Sequence, residues 1–169
     1  MMTDATTGQP TPPTLRDPAH RVSPRARVMW QLGAGVEGLV LVVIAGVLAL
    51  TMDAVRWWMV LALAVAVVAY VAVVPQWRYL VHRWEATDTA VYTQTGWWAR
   101  ERRIAPMSRI QTVDYAEGAI ARLFGLASVT VTTASAAGAI SIDGLDRQVA
   151  RRLVDDLTRQ ADAVEGDAT

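Results

Sequence analysis

Residues 57–74 read WWMVLALAVAVVAYVAVV, an eighteen-residue stretch without a charged side chain. A helix of about 20 apolar residues crosses the ~30 Å hydrocarbon core of a bilayer, so this stretch predicts a transmembrane helix over about residues 57–75. A second apolar run, residues 28–52, is also long enough to cross, although Glu37 interrupts it. Its aliphatic side chains favour insertion by about 3–6 kcal/mol, more than the roughly 2.5–3.5 kcal/mol that one mid-membrane charge costs. We therefore expect a first helix over about residues 29–51.

Only residues 53–56 separate the two runs, which predicts an antiparallel transmembrane hairpin over residues 28–75. Arginine flanks the hairpin unevenly, and positive charge favours the cytoplasmic side. Arg56 alone lies in the turn, whereas Arg16, Arg21, Arg25 and Arg27 precede the hairpin and Arg78 and Arg83 follow it. We therefore expect a multi-pass membrane protein with both termini in the cytoplasm. Residues 1–27 are polar and contain several prolines, which predicts a disordered cytoplasmic leader.

The overall composition argues against several classes of function. The 169 residues are 53% hydrophobic, and 16 basic side chains balance 16 acidic ones, so no net field favours nucleic acid. The chain has no cysteine, and its histidines, His20 and His82, lack the spacing of metal ligands. No nucleophile elbow, phosphate loop or zinc-protease motif is present. We expect no catalytic residue, no metal and no cofactor, and hence a protein that is not an enzyme.

After Pro75 the pattern changes to that of a β-domain over residues 78–161. Gly96 separates β-favouring segments at residues 84–95 and 97–104, and residues 109–115 form a further predicted strand. Alternation predicts a hairpin of residues 128–132 with 139–142. From Leu145 the spacing becomes helical, with Leu145, Val149, Leu153 and Leu157 on one stripe. A sheet that curls or closes, capped by a C-terminal helix, fits this order. We expect a flexible tail at residues 162–169.

The β-domain resembles a known family, the bacterial pleckstrin-homology-like (PH-like), membrane-flanked proteins of the YdbS type. The resemblance covers residues 84–157 and the two preceding helices. It rests on EATD at 85–88, Gly96, RERRIAP at 100–106, SRIQTVD at 108–114, GAIARLFGLASVTV at 118–131, and Gly144-Leu145. Trp97 and Trp98 stand where the family more often has aliphatic residues. The resemblance implies a split β-barrel with a C-terminal α-helix and no established enzymatic activity.

One candidate contact site combines tryptophan with arginine near the Gly96 turn. Trp97 and Trp98 precede a group of arginines, which comprises Arg100, Arg102, Arg103 and Arg109. Arginine can bind lipid phosphate while indoles enter the interface, so the group could contact a membrane or a partner. Alternatively, the arginines form cross-strand ion pairs and the tryptophans pack on the barrel.

A second candidate site is Glu37, inside the first apolar run. An intramembrane carboxylate can accept a proton or make a polar contact with another helix. Alternatively, it lies near the cytoplasmic boundary and reaches the headgroups or an oligomer contact. Ala34 and Gly38 are small and would permit close helix packing beside it, as would Ala62 and Ala66 on the second span.

These features together predict a non-enzymatic, membrane-anchored interaction module that presents its PH-like domain at the cytoplasmic face for protein assembly. The expected partners are the lipid bilayer and a protein, either a different chain or a second copy, with no nucleic acid. One alternative is a sensor of anionic lipid at the membrane surface. Another is an accessory subunit of a transport or envelope-stress complex.

Overall fold

The computed structural model describes residues 17–96, 98–134 and 138–166, and its first large feature is a helical hairpin. Helix α1 is Pro24–Thr51 and helix α2 is Trp57–Val81. Both are long and apolar enough to cross a membrane. Only Ala26 and Gly38 of α1 and Pro75 and Val81 of α2 are buried, whereas apolar side chains such as Val68 (68% exposed) face outward. A core helix of a soluble protein would bury such a face.

Helix α2 extends beyond the predicted end at residue 75. Pro75 lies inside the helix and is buried, and the helix continues for six residues to Val81. Proline removes one backbone hydrogen bond but is tolerated in membrane-type helices, because neighbouring packing compensates for the loss. The extra turn and a half carries Trp77 and Arg78, which therefore project from a helix and not from a loop.

The two helices pack closely where α1 has a glycine. A Cβ atom on Gly38 would lie 2.3 Å from Val67 Cγ1, so a larger residue here would force Val67 to shift. The small residue at position 38 therefore serves the contact within the hairpin. Residues 52–56 make the connection between the helices.

The segment before α1 differs from the predicted disordered leader. His20–Arg21 form strand β1, which pairs with strand β2 (Arg83–Ala86), and α1 begins at Pro24 instead of after residue 27. The backbone N–H of Ser23 donates to the Gly144 carbonyl (2.9 Å), and Val22 is buried. These backbone bonds and this burial order the end of the leader. Residues 1–16 lie outside the described residues.

The β-domain consists of two antiparallel sheets. The first has the order β1-β2-β3-β4, with β3 at Ala90–Thr95 and β4 at Glu101–Pro106. The second has the order β5-β6-β7, formed by Ile110–Ala116, Leu126–Thr133 and Ile140–Asp146. A 3-10 turn at Met107–Arg109 joins the sheets, and a short helix α3, Ala119–Leu123, joins β5 to β6. This arrangement is consistent with the predicted PH-like fold, and within the described residues the strands form two separate sheets.

The core lies between the sheets and under helix α4, Arg147–Gly166. Leu145 was predicted to begin the helix, but it belongs to β7 and is paired with Ala127. The helix therefore starts two residues later, and Ala150, Leu153 and Leu157 are its buried face, while Val149 is 39% exposed. The helix also continues beyond the predicted tail boundary at 162 as far as Gly166, and residues 167–169 lie outside the described residues.

Candidate functional site

The membrane-type hairpin is joined to the β-domain by a tightly packed junction. A Cβ atom on Gly144 would lie 2.6 Å from the Ala26 Cβ, so strand β7 touches α1 directly. The Gln94 side-chain amide donates to the Val81 carbonyl (3.1 Å), and this bond ties β3 to the end of α2. Both helices are therefore fixed to the domain.

The β3–β4 turn lies beside the same end of α2. Gly96 has a φ of +113°, and a Cβ there would lie 1.8 Å from the Ala99 carbonyl oxygen, so the turn requires glycine. Trp98 is 88% exposed and lines a groove of about 370 Å³ with Val73, Val74 and Trp77 of α2. One tryptophan of the predicted pair thus faces the apolar helix across this groove. Trp97 lies outside the described residues.

The structure separates the four arginines that the sequence groups together. Arg100 lines a small cleft with Trp77 and Arg83, next to the Trp98 turn. Arg100 precedes β4 and Arg109 follows it. The strand between them is about 17 Å long, at about 3.3 Å per residue. Arg109 is therefore not part of the same site.

Arg102 and Arg103 point to opposite faces of β4, as successive strand residues must. Arg102 donates to the Gln94 side-chain oxygen (3.0 Å) and pairs with Asp17, which holds the leader on the sheet. Arg103 donates to Glu101 Oε1 (2.7 Å) and to the Ala139 carbonyl (3.3 Å). Arg102 thus pairs with a carboxylate of the leader and Arg103 with one on its own strand, while Arg100 lies near the Trp98 turn.

A polar crevice of about 450 Å³ opens between α2 and the strands β3, β4 and β7. Its lining includes Tyr70, Val74, Arg78, Glu101, Arg103 and Asp143. The Arg78 guanidinium lies 3.8 Å from Asp143 Oδ2, and its Cζ is 4.2 Å from the centre of the Trp30 ring. The crevice thus contains two positive and two negative side chains in pairs.

His82 lies at the inner end of this crevice and is buried, with 6% of its surface exposed. The pKa of His82 is lowered from 6.5 to about 4, mainly by burial and also by the charge of Arg78, while the charge of Asp143 opposes the shift. The imidazole is therefore neutral at pH 7. Within the described residues, its Nδ1 has no hydrogen-bond partner.

Glu37 lines a second cavity, of about 620 Å³, which Arg78 also lines. Its lining also includes Trp30, Tyr70 and Ile120, and Ala34 contributes to the same wall. The two small residues predicted to pack together beside Glu37 have different surroundings. Ala34 lines this cavity, and Gly38 packs on Val67. Glu37 and Arg78 share a cavity, which the sequence did not indicate.

The crevice residues on α2 were not predicted from the sequence. Tyr70, Val74, Arg78 and His82 follow each other at intervals of four, which places them on one helix face. That signal was available, but the helix was predicted to end at residue 75, so Arg78 and His82 were read as flanking residues. Asp143 carried no signal beyond its place in a turn-like Asp-Gly pair.

An apolar helical hairpin fixed to two antiparallel sheets with a C-terminal helix defines a membrane-associated PH-like protein. The family model described as "Bacterial PH domain" matches residues 32–161, and the chain belongs to this bacterial PH domain family. It is 28% identical over 156 residues to the UPF0699 transmembrane protein YdbS of Bacillus subtilis (strain 168), which covers 89% of this chain and 97% of that protein. No solved structure matches the chain. The resemblance inferred from the motifs is confirmed.

Proposed function

We propose that this protein is a non-enzymatic, membrane-anchored interaction module. Its hairpin crosses the cell membrane with both termini in the cytoplasm, and its PH-like domain lies at the inner face, where it binds a protein partner or a second copy. The observation that carries the proposal is the junction at Gly144 and Gln94, which fixes the domain to both helices. A domain held in one orientation presents the same surface to every partner.

Helix length supports this placement. From Trp57, about 20 residues at 1.5 Å each cover the ~30 Å core, which brings the inner boundary to about Trp77. Trp77 and Arg78 then lie at the interface, where indole rings and guanidinium groups are favoured. The turn with Asp53 and Arg56 lies on the outer side, in keeping with the arginine asymmetry.

Cysteine labelling tests the topology, because the chain has no cysteine of its own. In intact cells, an impermeant maleimide should label Asp53→Cys but not Asp155→Cys, an exposed position on α4. Labelling of Asp155→Cys alone would overturn the proposed orientation.

In-cell photocrosslinking tests the interaction. A photoreactive residue at Gln111, exposed on the edge strand β5, or at Asp155 should give discrete protein adducts, and the same residue at Asp53 serves as the matched control. An adduct pattern at Gln111 and Asp155 no richer than that at Asp53 would contradict a partner-binding domain.

A second candidate function, contact with anionic lipid, is favoured by Trp98. Its exposed indole lies beside Val73 and Trp77, at the proposed depth of the interface, with Arg100 next to it. A fluorophore on Trp98→Cys in vesicles should be quenched by spin-labelled acyl chains, and one on Arg109→Cys should not. Arg100→Gln should weaken any preference for anionic lipid near the fluorophore. Equal quenching at both positions would count against the contact.

A further inference from the structure

The crevice beside α2 runs from the β-domain toward the membrane-type part of the helix. Arg78 and His82 line it near the strands, and Tyr70 and Val74 line it further along α2. Eight residues of helix separate Tyr70 from Arg78, a rise of about 12 Å. With the hairpin placed as in the proposed function, on which this inference rests, the crevice connects the headgroup level with the acyl layer.

The charges in the crevice are balanced. Arg78 faces Asp143, and Arg103 faces Glu101, while the buried His82 is neutral. The crevice therefore has no net charge but strong local charge of both signs. A purely anionic ligand would meet two carboxylates there, and a purely cationic one would meet two guanidinium groups.

The Arg78–Asp143 pair is open enough to accept a ligand. Its N–O distance of 3.8 Å is too long for a hydrogen bond, so guanidinium N–H groups and a carboxylate oxygen are available. Ser141 donates to the other oxygen, Asp143 Oδ1 (2.9 Å), and thereby orients the carboxylate. Arg78 is itself positioned by stacking over Trp30.

We propose that this crevice binds the headgroup of a zwitterionic aminophospholipid. The phosphate lies against Arg78 and Arg103, the ammonium group donates hydrogen bonds to Asp143 and Glu101, and one acyl chain follows Val74 and Tyr70. The headgroup carries a phosphate and an ammonium group, which match the guanidinium groups and carboxylates of the crevice. The cavity volume is in the range of small-molecule sites. This site shares only Val74 with the groove that Trp98 lines, where the second candidate contact favours anionic lipid.

The test uses the purified full-length protein in detergent, with native mass spectrometry to count retained lipids. Phosphatidylethanolamine, phosphatidylcholine and phosphatidylglycerol with identical acyl chains compete as probes. We expect phosphatidylethanolamine to be retained roughly tenfold better than phosphatidylcholine, whose trimethylammonium group cannot donate the charge-assisted hydrogen bond. Equal retention of the three lipids, or a preference for phosphatidylglycerol, would overturn the proposal.

Variants test the roles of the charged residues. Arg78→Gln should reduce retention of phosphatidylethanolamine roughly tenfold, because one charge-assisted contact with phosphate is lost. Asp143→Asn leaves the crevice positive and should shift the preference to phosphatidylglycerol, and Glu101→Gln should act in the same direction. Arg109→Gln, at the far end of β4 and outside the crevice, is the matched control and should leave lipid retention unchanged. If Arg78→Gln does not fold, the two carboxylate variants decide the question, and an unchanged preference in both rejects the site. Topology labelling at Asp53→Cys is independent of these results, so the proposed placement and the lipid site can fail separately.

Discussion

The contact between Gly144 and helix α1 allows a quantitative test of how the domain is fixed to the hairpin. Gly144 has a φ of +77°, and a Cβ there would lie 2.6 Å from the Cβ of Ala26. In Gly144→Ala the left-handed backbone conformation costs about 1–2 kcal/mol. Relief of the overlap requires strand β7 and α1 to move apart, and such overpacking costs about 1–3 kcal/mol. The free energy of unfolding should therefore fall by about 2–5 kcal/mol.

Gly138→Ala is the matched control. Gly138 has a φ of +76°, nearly that of Gly144, and among the described residues a Cβ there would meet no atom within 4 Å. In the control, the free energy of unfolding should therefore fall only by the backbone cost of about 1–2 kcal/mol. The difference between the two variants measures the contact with α1.

Thermal unfolding of the full-length protein in detergent is the assay. For a chain of this size, 1 kcal/mol corresponds to roughly 2–4 °C in Tm. Ala26→Gly combined with Gly144→Ala should recover most of the overlap cost, less the ~1 kcal/mol that glycine costs inside a helix. If Gly144→Ala and Gly138→Ala lower Tm equally, β7 does not press on α1, and the argument for a fixed domain fails.

Two further predictions concern the hairpin and the crevice. Gly38→Ala should lower Tm because its Cβ would overlap Val67, and combining it with Val67→Ala should restore Tm. Gly46→Ala is the control: its Cβ would meet none of the described atoms within 4 Å, so Tm should stay unchanged or rise. An unchanged Tm for Gly38→Ala would disprove the close crossing. For His82, the pKa of about 4 in the folded protein is below the 6.5 of the unfolded chain, so the unfolded state binds the proton first as the pH falls. Stability should therefore fall between pH 6.5 and pH 4 by up to about 3 kcal/mol, and denaturant titrations of His82→Phe should lack this component.

The hairpin was predictable because its signal is local. An uncharged run such as residues 57–74 fixes length and environment without knowledge of the rest of the chain. The family motifs likewise identified the domain. The ends of the elements were harder to predict. Leu145 has helical spacing in the sequence, but it pairs with Ala127 as a strand residue, because the partner strand determines its conformation.

The sites depended on tertiary structure more strongly. Arg102 and Arg103 are adjacent in sequence but lie on opposite faces of β4, so Arg102 contacts Asp17 and Arg103 contacts Ala139, two residues that are distant in the sequence. The crevice is assembled from α2, β3, β4 and β7, so no contiguous segment indicates it. Arg78 became recognisable as a site residue only when α2 was seen to continue past Pro75.

The connection between hairpin and domain follows from strand geometry. Strands β1 and β2 are neighbours in one sheet, and α1 and α2 are inserted between them. Neighbouring strands lie about 4.8 Å apart, whereas packed helices lie about 8–10 Å apart. Only Val22–Ser23 and His82 are available to span this difference, so neither connection is long enough to act as a flexible linker. The sheet therefore sets the direction in which both helices leave the domain, and the orientation of the domain is a property of the chain before any lipid or partner is bound.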